Sequence, residues 1–173
     1  MDFVDLLLKE HETLRASLRT MIVMLGRPSG VGWEDRMELD RGRFSLLLRE
    51  FLDEFKSHEG VEDLFLTRVV RQLGLDRDLD AAISEGHRSL DEMTRLFEVI
   101  FGACDGEHAY SVRMVLGRLQ EELERHLTYE ETQVFPKLRL RLPAALLREL
   151  GRRAAAMERA GRKAAGSRPS AYA

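Results

Sequence analysis

Four long segments of the chain repeat apolar residues at alternating steps of three and four, and each of these series includes one histidine. This spacing is typical of a helix that turns one face into the interior of a bundle. In the first segment Val4, Leu7, Leu14 and Leu18 share the inward face, with His11 between them. The pattern therefore predicts helices whose inward faces each carry one imidazole.

Turn-forming residues between these segments predict where the helices end. Glycine, proline, serine and aspartate cluster near residues 26–30, 74–76 and 102–106. We therefore expect helices at about 3–25, from a start between 33 and 40 to 73, at 78–101, and from after 106 to 140. Short connections between long helices favour an up-down-up-down antiparallel bundle. The predicted fold class is all-α, a four-helix bundle with a short C-terminal helix or a disordered tail.

The C-terminal end of the chain differs in charge from the rest. Residues 152–173 contain six basic residues and one acidic residue, a net +5, so the total of -3 leaves -8 for residues 1–151. We interpret residues 1–150 as one bundle domain and residues 151–173 as a basic flexible tail. The modest overall charge does not predict a nucleic-acid partner.

The cysteine content and the apolar runs predict the cellular compartment. One cysteine, Cys104, excludes an intramolecular disulfide and a clustered thiolate metal site. No apolar run approaches the roughly 18 residues of a membrane span, and the first residues lack the basic start of a secretory signal. We expect a cytoplasmic protein with no membrane partner, as a monomer or a small homo-oligomer.

Two of the four inward histidines are followed by a glutamate four residues later, at His58–Glu62 and His126–Glu130. Four residues correspond to about 40° around a helix and about 6 Å along it, so both side chains of a pair can reach one site. Burying carboxylates among apolar side chains is costly unless a cation neutralises them. Imidazoles and carboxylates without thiolates suit iron, manganese or zinc. The predicted metal ligands are His11, His58, Glu62, His87, His126 and Glu130.

These ligands can meet only if they lie at matching heights in the bundle. His11 precedes Gly26 by 15 residues, which is a shorter distance than the one from Trp33 to His58. Meeting therefore requires the regular part of the second helix to begin nearer Asp40 than Trp33.

With these residues in place, the chain resembles the hemerythrin-like (HHE cation-binding) family. The resemblance covers about residues 3–140 and rests on LLLKEHETLRASL, FKSHEGVEDLFL, ISEGHRSLDEM and LERHLTYEETQVFPKL. It implies a four-helix bundle with two non-haem irons bridged by carboxylates and by an oxo or hydroxo group. The histidines would be terminal ligands, and Glu62 and a carboxylate of the fourth helix would be the bridges.

Two departures from the family pattern leave alternatives open. Oxygen-carrying members have a second histidine one turn from the first on the third helix, and the corresponding positions around His87 are Ile83 and Asp91. Asp91 is then a further ligand, or water fills that position. The bridge on the fourth helix lies five residues after its histidine in oxygen carriers, which would select Glu131. We prefer Glu130, since its spacing keeps it on the inward face.

The resemblance implies a protein that binds or processes dioxygen, hydrogen peroxide or nitric oxide. An aspartate or water in place of a histidine adds a hard oxygen donor, which favours the ferric state and weakens reversible dioxygen carriage. A peroxide-decomposing, catalase-like enzyme fits this expectation. The alternatives are an iron or oxygen sensor or store without turnover, and a metal-free helical interaction module.

Overall fold

The structure is a computed structural model that describes residues 1–25, 33–74, 77–103 and 109–166, with side chains except at 33–40, 77, 109–110 and 161–166. The α-helices are α1 Phe3–Leu25, α2 Trp33–Val61, α3 Thr67–Gln72, α4 Arg77–Gly102, α5 Ala109–Tyr129, α6 Phe135–Arg141 and α7 Ala144–Gly166. Two π-helical segments, Glu62–Leu66 and Glu130–Val134, join α2 to α3 and α5 to α6 without a break.

The described residues thus form five uninterrupted helical stretches, at 3–25, 33–72, 77–102, 109–141 and 144–166. No strand occurs in these ranges, so the predicted all-α class is confirmed. None of the described helices is both long enough and apolar enough to cross a membrane.

The inward face predicted for α1 is buried throughout. Val4, Leu7, His11, Leu14 and Leu18 each expose 1% or less of their surface. The alternating spacing therefore identified the buried face of this helix, and His11 lies within it.

The core consists of two apolar clusters with the inward histidines between them. The first cluster includes Leu14, Phe55, Leu90 and Leu123. The second includes Leu7, Val61, Ile83 and Val134. On each of the four stretches that carry one of these histidines, the histidine therefore lies between a residue of one cluster and a residue of the other.

Helix α7 packs closely against α1 and also contacts α2. A Cβ atom added to Gly151 would lie 2.8 Å from the carbonyl carbon of Asp2, so the glycine permits this approach. Ala154, one turn further on, is fully buried. The helix crosses the predicted boundary between residues 150 and 151 and continues to Gly166. Residues 167–173 of the predicted tail lie outside the described residues.

Candidate metal centre

The six predicted ligands on the inward faces come together in two groups. One group contains His11, His58, Glu62 and Glu130, and the other contains Glu62, His87, His126 and Glu130. Within each group, one nitrogen or oxygen atom from every residue lies within 4.8 Å of the others. None of the six residues exposes more than 8% of its surface. The two glutamates belong to both groups.

Glu62 directs one carboxylate oxygen to each pair of histidines. Its Oε1 lies 3.3 Å from His58 Nε2 and 3.9 Å from His11 Nε2. Its Oε2 lies 3.0 Å from His87 Nε2 and 4.0 Å from His126 Nε2. The carboxylate therefore spans the space between the two pairs.

Glu130 divides its oxygens in the same way, with Oε2 3.4 Å from His11 Nε2 and Oε1 3.5 Å from His126 Nε2. Two positions result, each faced by two imidazole nitrogens and two carboxylate oxygens. Ligand atoms held about 2.1 Å from one ion lie about 3 Å apart at right angles and about 4.2 Å apart when opposite. The observed separations of 3.0–4.0 Å fit two such ions.

Most of these ligand atoms are buried without a hydrogen-bond partner among the described residues. They are Nε2 of His11, His58 and His126, Oε1 of Glu62, and both carboxylate oxygens of Glu130. Each unsatisfied buried polar atom costs about 1–3 kcal/mol. Cations at the two positions would satisfy all six atoms, so the residues present fit a pair of metal ions.

Three of the four histidines are also held at their second ring nitrogen by a carboxylate. The Nδ1 contacts are His11 with Glu131 Oε1 at 2.8 Å, His58 with Glu10 Oε2 at 2.9 Å, and His87 with Asp63 Oδ1 at 3.2 Å. An ionised carboxylate only accepts, so the neutral ring that fits these contacts carries its proton on Nδ1 and donates it to the carboxylate. That tautomer leaves the Nε2 lone pair for the centre, which is the usual arrangement of metal-binding histidines. Nε2 of His87 also lies within hydrogen-bond distance of Glu62 Oε2, at 3.0 Å.

Each of the two shared glutamates begins a π-helical segment. The backbone N–H of Thr67 donates to the carbonyl oxygen of Glu62, and that of Phe135 donates to the carbonyl oxygen of Glu130. These bonds span five residues instead of four, which widens the turn at both carboxylates. Single π-helical turns of this kind occur frequently at functional sites.

The carboxylates that the sequence left as alternatives occupy different places in the structure. Asp91 is in neither group, and its carboxylate forms an ion pair with Lys56 on α2 and lies 3.8 Å from Arg95 Nη2. The Glu131 side chain is 27% exposed and contacts Nδ1 of His11. Glu130 is fully buried and belongs to both groups. Of the seven predicted ligands, the described structure brings together six and leaves Asp91 outside.

Gly86 packs against the His126 ring, although no sequence motif pointed to this residue. A Cβ atom at this position would lie 2.9 Å from Cε1 of the His126 ring and closer still to Nδ1. The only sequence signal is a glycine in the interior of a helix, where it costs about 1 kcal/mol relative to alanine. At this position the absence of a Cβ atom leaves room for the His126 ring.

The pKa values of the two glutamates diverge because their surroundings differ. Burial raises the pKa of Glu130 well above its ordinary value, and the neighbouring Glu62 carboxylate adds to the rise. Burial acts in the same direction on Glu62, but His58, His11 and His87 outweigh it and hold its pKa well below the ordinary value. Without a cation, Glu130 therefore takes up a proton more readily than Glu62 does.

The histidines also differ from one another. Burial opposes the charge on His58 and His87, yet the Glu62 carboxylate with others nearby outweighs it and raises the pKa of both. Burial lowers the pKa of His126 to about 4. His126 is thus neutral at neutral pH, whereas His58 and His87 bind a proton more readily than an ordinary histidine does.

Metal uptake should release protons and weaken as the pH falls. Glu130, His58 and His87 all have raised pKa values, so a cation must displace the protons that they hold. We expect the apparent affinity of the metal-free protein for Zn²⁺ to fall between about pH 8 and about pH 6. Calorimetric titration in buffers of different ionisation enthalpy measures the released protons. An affinity independent of pH would contradict this expectation.

The described residues therefore define an all-helical protein with a buried cluster of four histidines and two glutamates suited to hold metal ions. No model of a protein family, no curated protein and no solved structure matches the chain. The likeness to the hemerythrin-like family thus rests on the sequence motifs alone.

Proposed function

We propose that this chain is a hemerythrin-like four-helix bundle that binds two non-haem irons and processes dioxygen, hydrogen peroxide or nitric oxide. One observation carries the proposal. The two groups of buried ligand atoms share Glu62 and Glu130, and each glutamate offers one oxygen to each group. Two metal ions, one held by each group, would use every one of these atoms.

The order of the core clusters supports an antiparallel bundle. Residues 3–25 and 77–102 pass from the second apolar cluster, through the histidine level, to the first cluster. Residues 33–72 and 109–141 pass in the opposite direction. Alternating directions along the sequence are the order of an up-down-up-down bundle, in which ligands from facing helices meet in the core.

The charges around the centre favour bound cations. The two shared glutamates and the three residues that contact the histidine Nδ1 atoms place five carboxylates around the centre. Arg15, the guanidinium that contacts Glu131, also pairs with Glu124. A metal-free interaction module would need protons on Glu130 and on the histidines to bury these groups, whereas bound cations would compensate the carboxylates directly.

The chain would supply four ligand atoms to each ion, with His11 and His58 on one side and His87 and His126 on the other. Iron accepts up to six ligands, which leaves room for solvent or a small molecule. When bound, a pair of irons supplies two-electron chemistry toward dioxygen or peroxide. The two apolar clusters lie on either side of the histidines, so only small molecules would reach the metal centre. The Phe135 ring, 5.3 Å from that of His11, is part of this wall.

Measurement of metal content tests the proposal. Protein produced with added iron should contain about two irons per chain, and its absorption bands should change when peroxide is added. At an iron concentration 1,000 times the dissociation constant, each ion should raise the free energy of unfolding by about 4 kcal/mol. Thermal unfolding before and after chelation measures this gain.

Three other outcomes would each change the conclusion. Folded protein that takes up no iron would contradict the metal centre and favour an interaction module. Two bound irons without any response to peroxide, dioxygen or nitric oxide would favour storage. A response to dioxygen or nitric oxide without turnover would favour a sensor.

A further inference from the structure

Nδ1 of His11 is hydrogen-bonded to the carboxylate of Glu131, which also binds Arg15. Glu131 Oε1 accepts a hydrogen bond from His11 Nδ1 at 2.8 Å and another from Arg15 Nη1 at 2.6 Å. Arg15 Nε donates in addition to Glu124 Oε2 at 2.8 Å. Arg15 lies one turn after His11 on α1, and both glutamates belong to the stretch 109–141. A single carboxylate oxygen thus receives both the imidazole and the guanidinium.

Among the described residues, the carboxylates at His58 and His87 have no such partner. Glu10 holds His58 and Asp63 holds His87, and neither forms an ion pair with a lysine or arginine in the described part of the chain. A carboxylate at Nδ1 makes a histidine a stronger electron donor to its metal. A guanidinium on the same oxygen draws part of that negative charge to itself. His11 should therefore donate less strongly than His58 or His87.

We propose that Arg15 is a positioning residue that acts through Glu131 on His11 and raises the reduction potential of the iron that His11 binds. This inference rests on the proposed function, since it requires iron at the position shared by His11 and His58. The contact of Arg15 with Glu131 would make the two halves of the centre electronically different, although each has two histidines and two glutamate oxygens. Of the two irons, the one that His11 would bind would then have the higher reduction potential.

Substitutions of Arg15 and Glu131 should move the reduction potential in opposite directions. Arg15→Met leaves the full carboxylate charge on His11, so the potential of the iron-loaded protein should fall. Glu131→Gln removes that charge, so the potential should rise. Arg15→Lys keeps the positive charge and should leave the potential close to that of the unsubstituted protein. Loss of structural support alone would not give opposite signs.

The double variant Arg15→Met/Glu131→Gln separates action through Glu131 from a general effect of charge. If Arg15 acts through Glu131, the double variant should have the potential of Glu131→Gln alone, whereas independent charges would add their effects. Arg139→Met is the matched control. It breaks another arginine–carboxylate pair between helices, in which Arg139 Nη2 lies 2.6 Å from Asp5 Oδ1, and should leave the potential unchanged.

Iron content and potential distinguish failure of this inference from failure of the proposed function. An unsubstituted chain that binds no iron overturns both. If the chain binds two irons, two results overturn only the role of Arg15. In one, both single variants shift the potential in the same direction. In the other, the shift of the double variant is the sum of the two single shifts. Opposite single shifts together with a double variant equal to Glu131→Gln support it.

Discussion

Replacing Glu62 by glutamine should abolish the binding of both metal ions. Its two oxygens face different histidine pairs, so one substitution removes a charged ligand from both positions at once. An amide offers one oxygen and an NH₂ group that cannot bind a cation. Substitutions of residues that only support a ligand lower affinity 10- to roughly 100-fold, and loss of a shared ligand should exceed this. Elemental analysis should find less than one iron per chain, and iron should no longer raise the unfolding temperature.

Asp91→Asn is the matched control for this substitution. Asp91 is a carboxylate of the third long stretch that the sequence offered as a ligand, and the structure places it against Lys56 instead. Its removal should leave two irons per chain and the stabilisation by iron intact. Loss of iron in Asp91→Asn would show that this aspartate is a ligand after all. Full iron content in Glu62→Gln would contradict the bridging geometry.

The sequence predicted which histidines and glutamates cluster in the core because helical periodicity reports which residues share a buried face. His58 and Glu62 continued the apolar series of their helix, and both are buried. The next step of three on the same face is Phe65, which is only half-buried, whereas Leu66 is fully buried. The π-helical turn that begins at Glu62 shifts the buried face by one residue. Spacing rules built on the α-helix cannot show such a turn.

The carboxylates that contact the histidine Nδ1 atoms could not be assigned to their histidines from the sequence. Glu10, Asp63 and Glu131 are each the chain neighbour of an inner ligand, and each contacts the histidine of a different helix. Acids beside the ligands are visible in the sequence. Which histidine each acid reaches depends on how the helices are rotated against one another, and one sequence does not contain that information.

The requirement placed on the start of the second helix was wrong, and the reason is helix length. α2 begins at Trp33, not near Asp40, yet the rings of His11 and His58 are 4.9 Å apart. Trp33 precedes His58 by 25 residues, whereas Leu25 follows His11 by only 14. At about 1.5 Å per residue, α2 has roughly 16 Å more helix on that side of the histidine level. The inward ligands fix the level at which the helices meet, and the helix ends need not match.

Replacing Gly86 by alanine should cost the protein one metal ion and part of its stability. The new Cβ would approach the His126 ring to 2.9 Å at Cε1, so the imidazole must leave its place. His126 belongs only to the group with His87, so the position held by His11 and His58 should remain occupied. We expect iron content to fall from two to one per chain. Overpacking should lower the free energy of unfolding of the metal-free protein by about 1–3 kcal/mol.

The sign of the stability change makes this prediction stringent. Gly→Ala inside a helix ordinarily stabilises by up to about 1 kcal/mol, because alanine has the higher helix propensity. Gly117→Ala provides the control, since nothing lies within 4 Å of a Cβ at that position in α5. It should show the ordinary gain in denaturant unfolding and retain both irons. If Gly86→Ala were also stabilising and kept two irons, the His126 ring would not occupy the position that completes the second metal site.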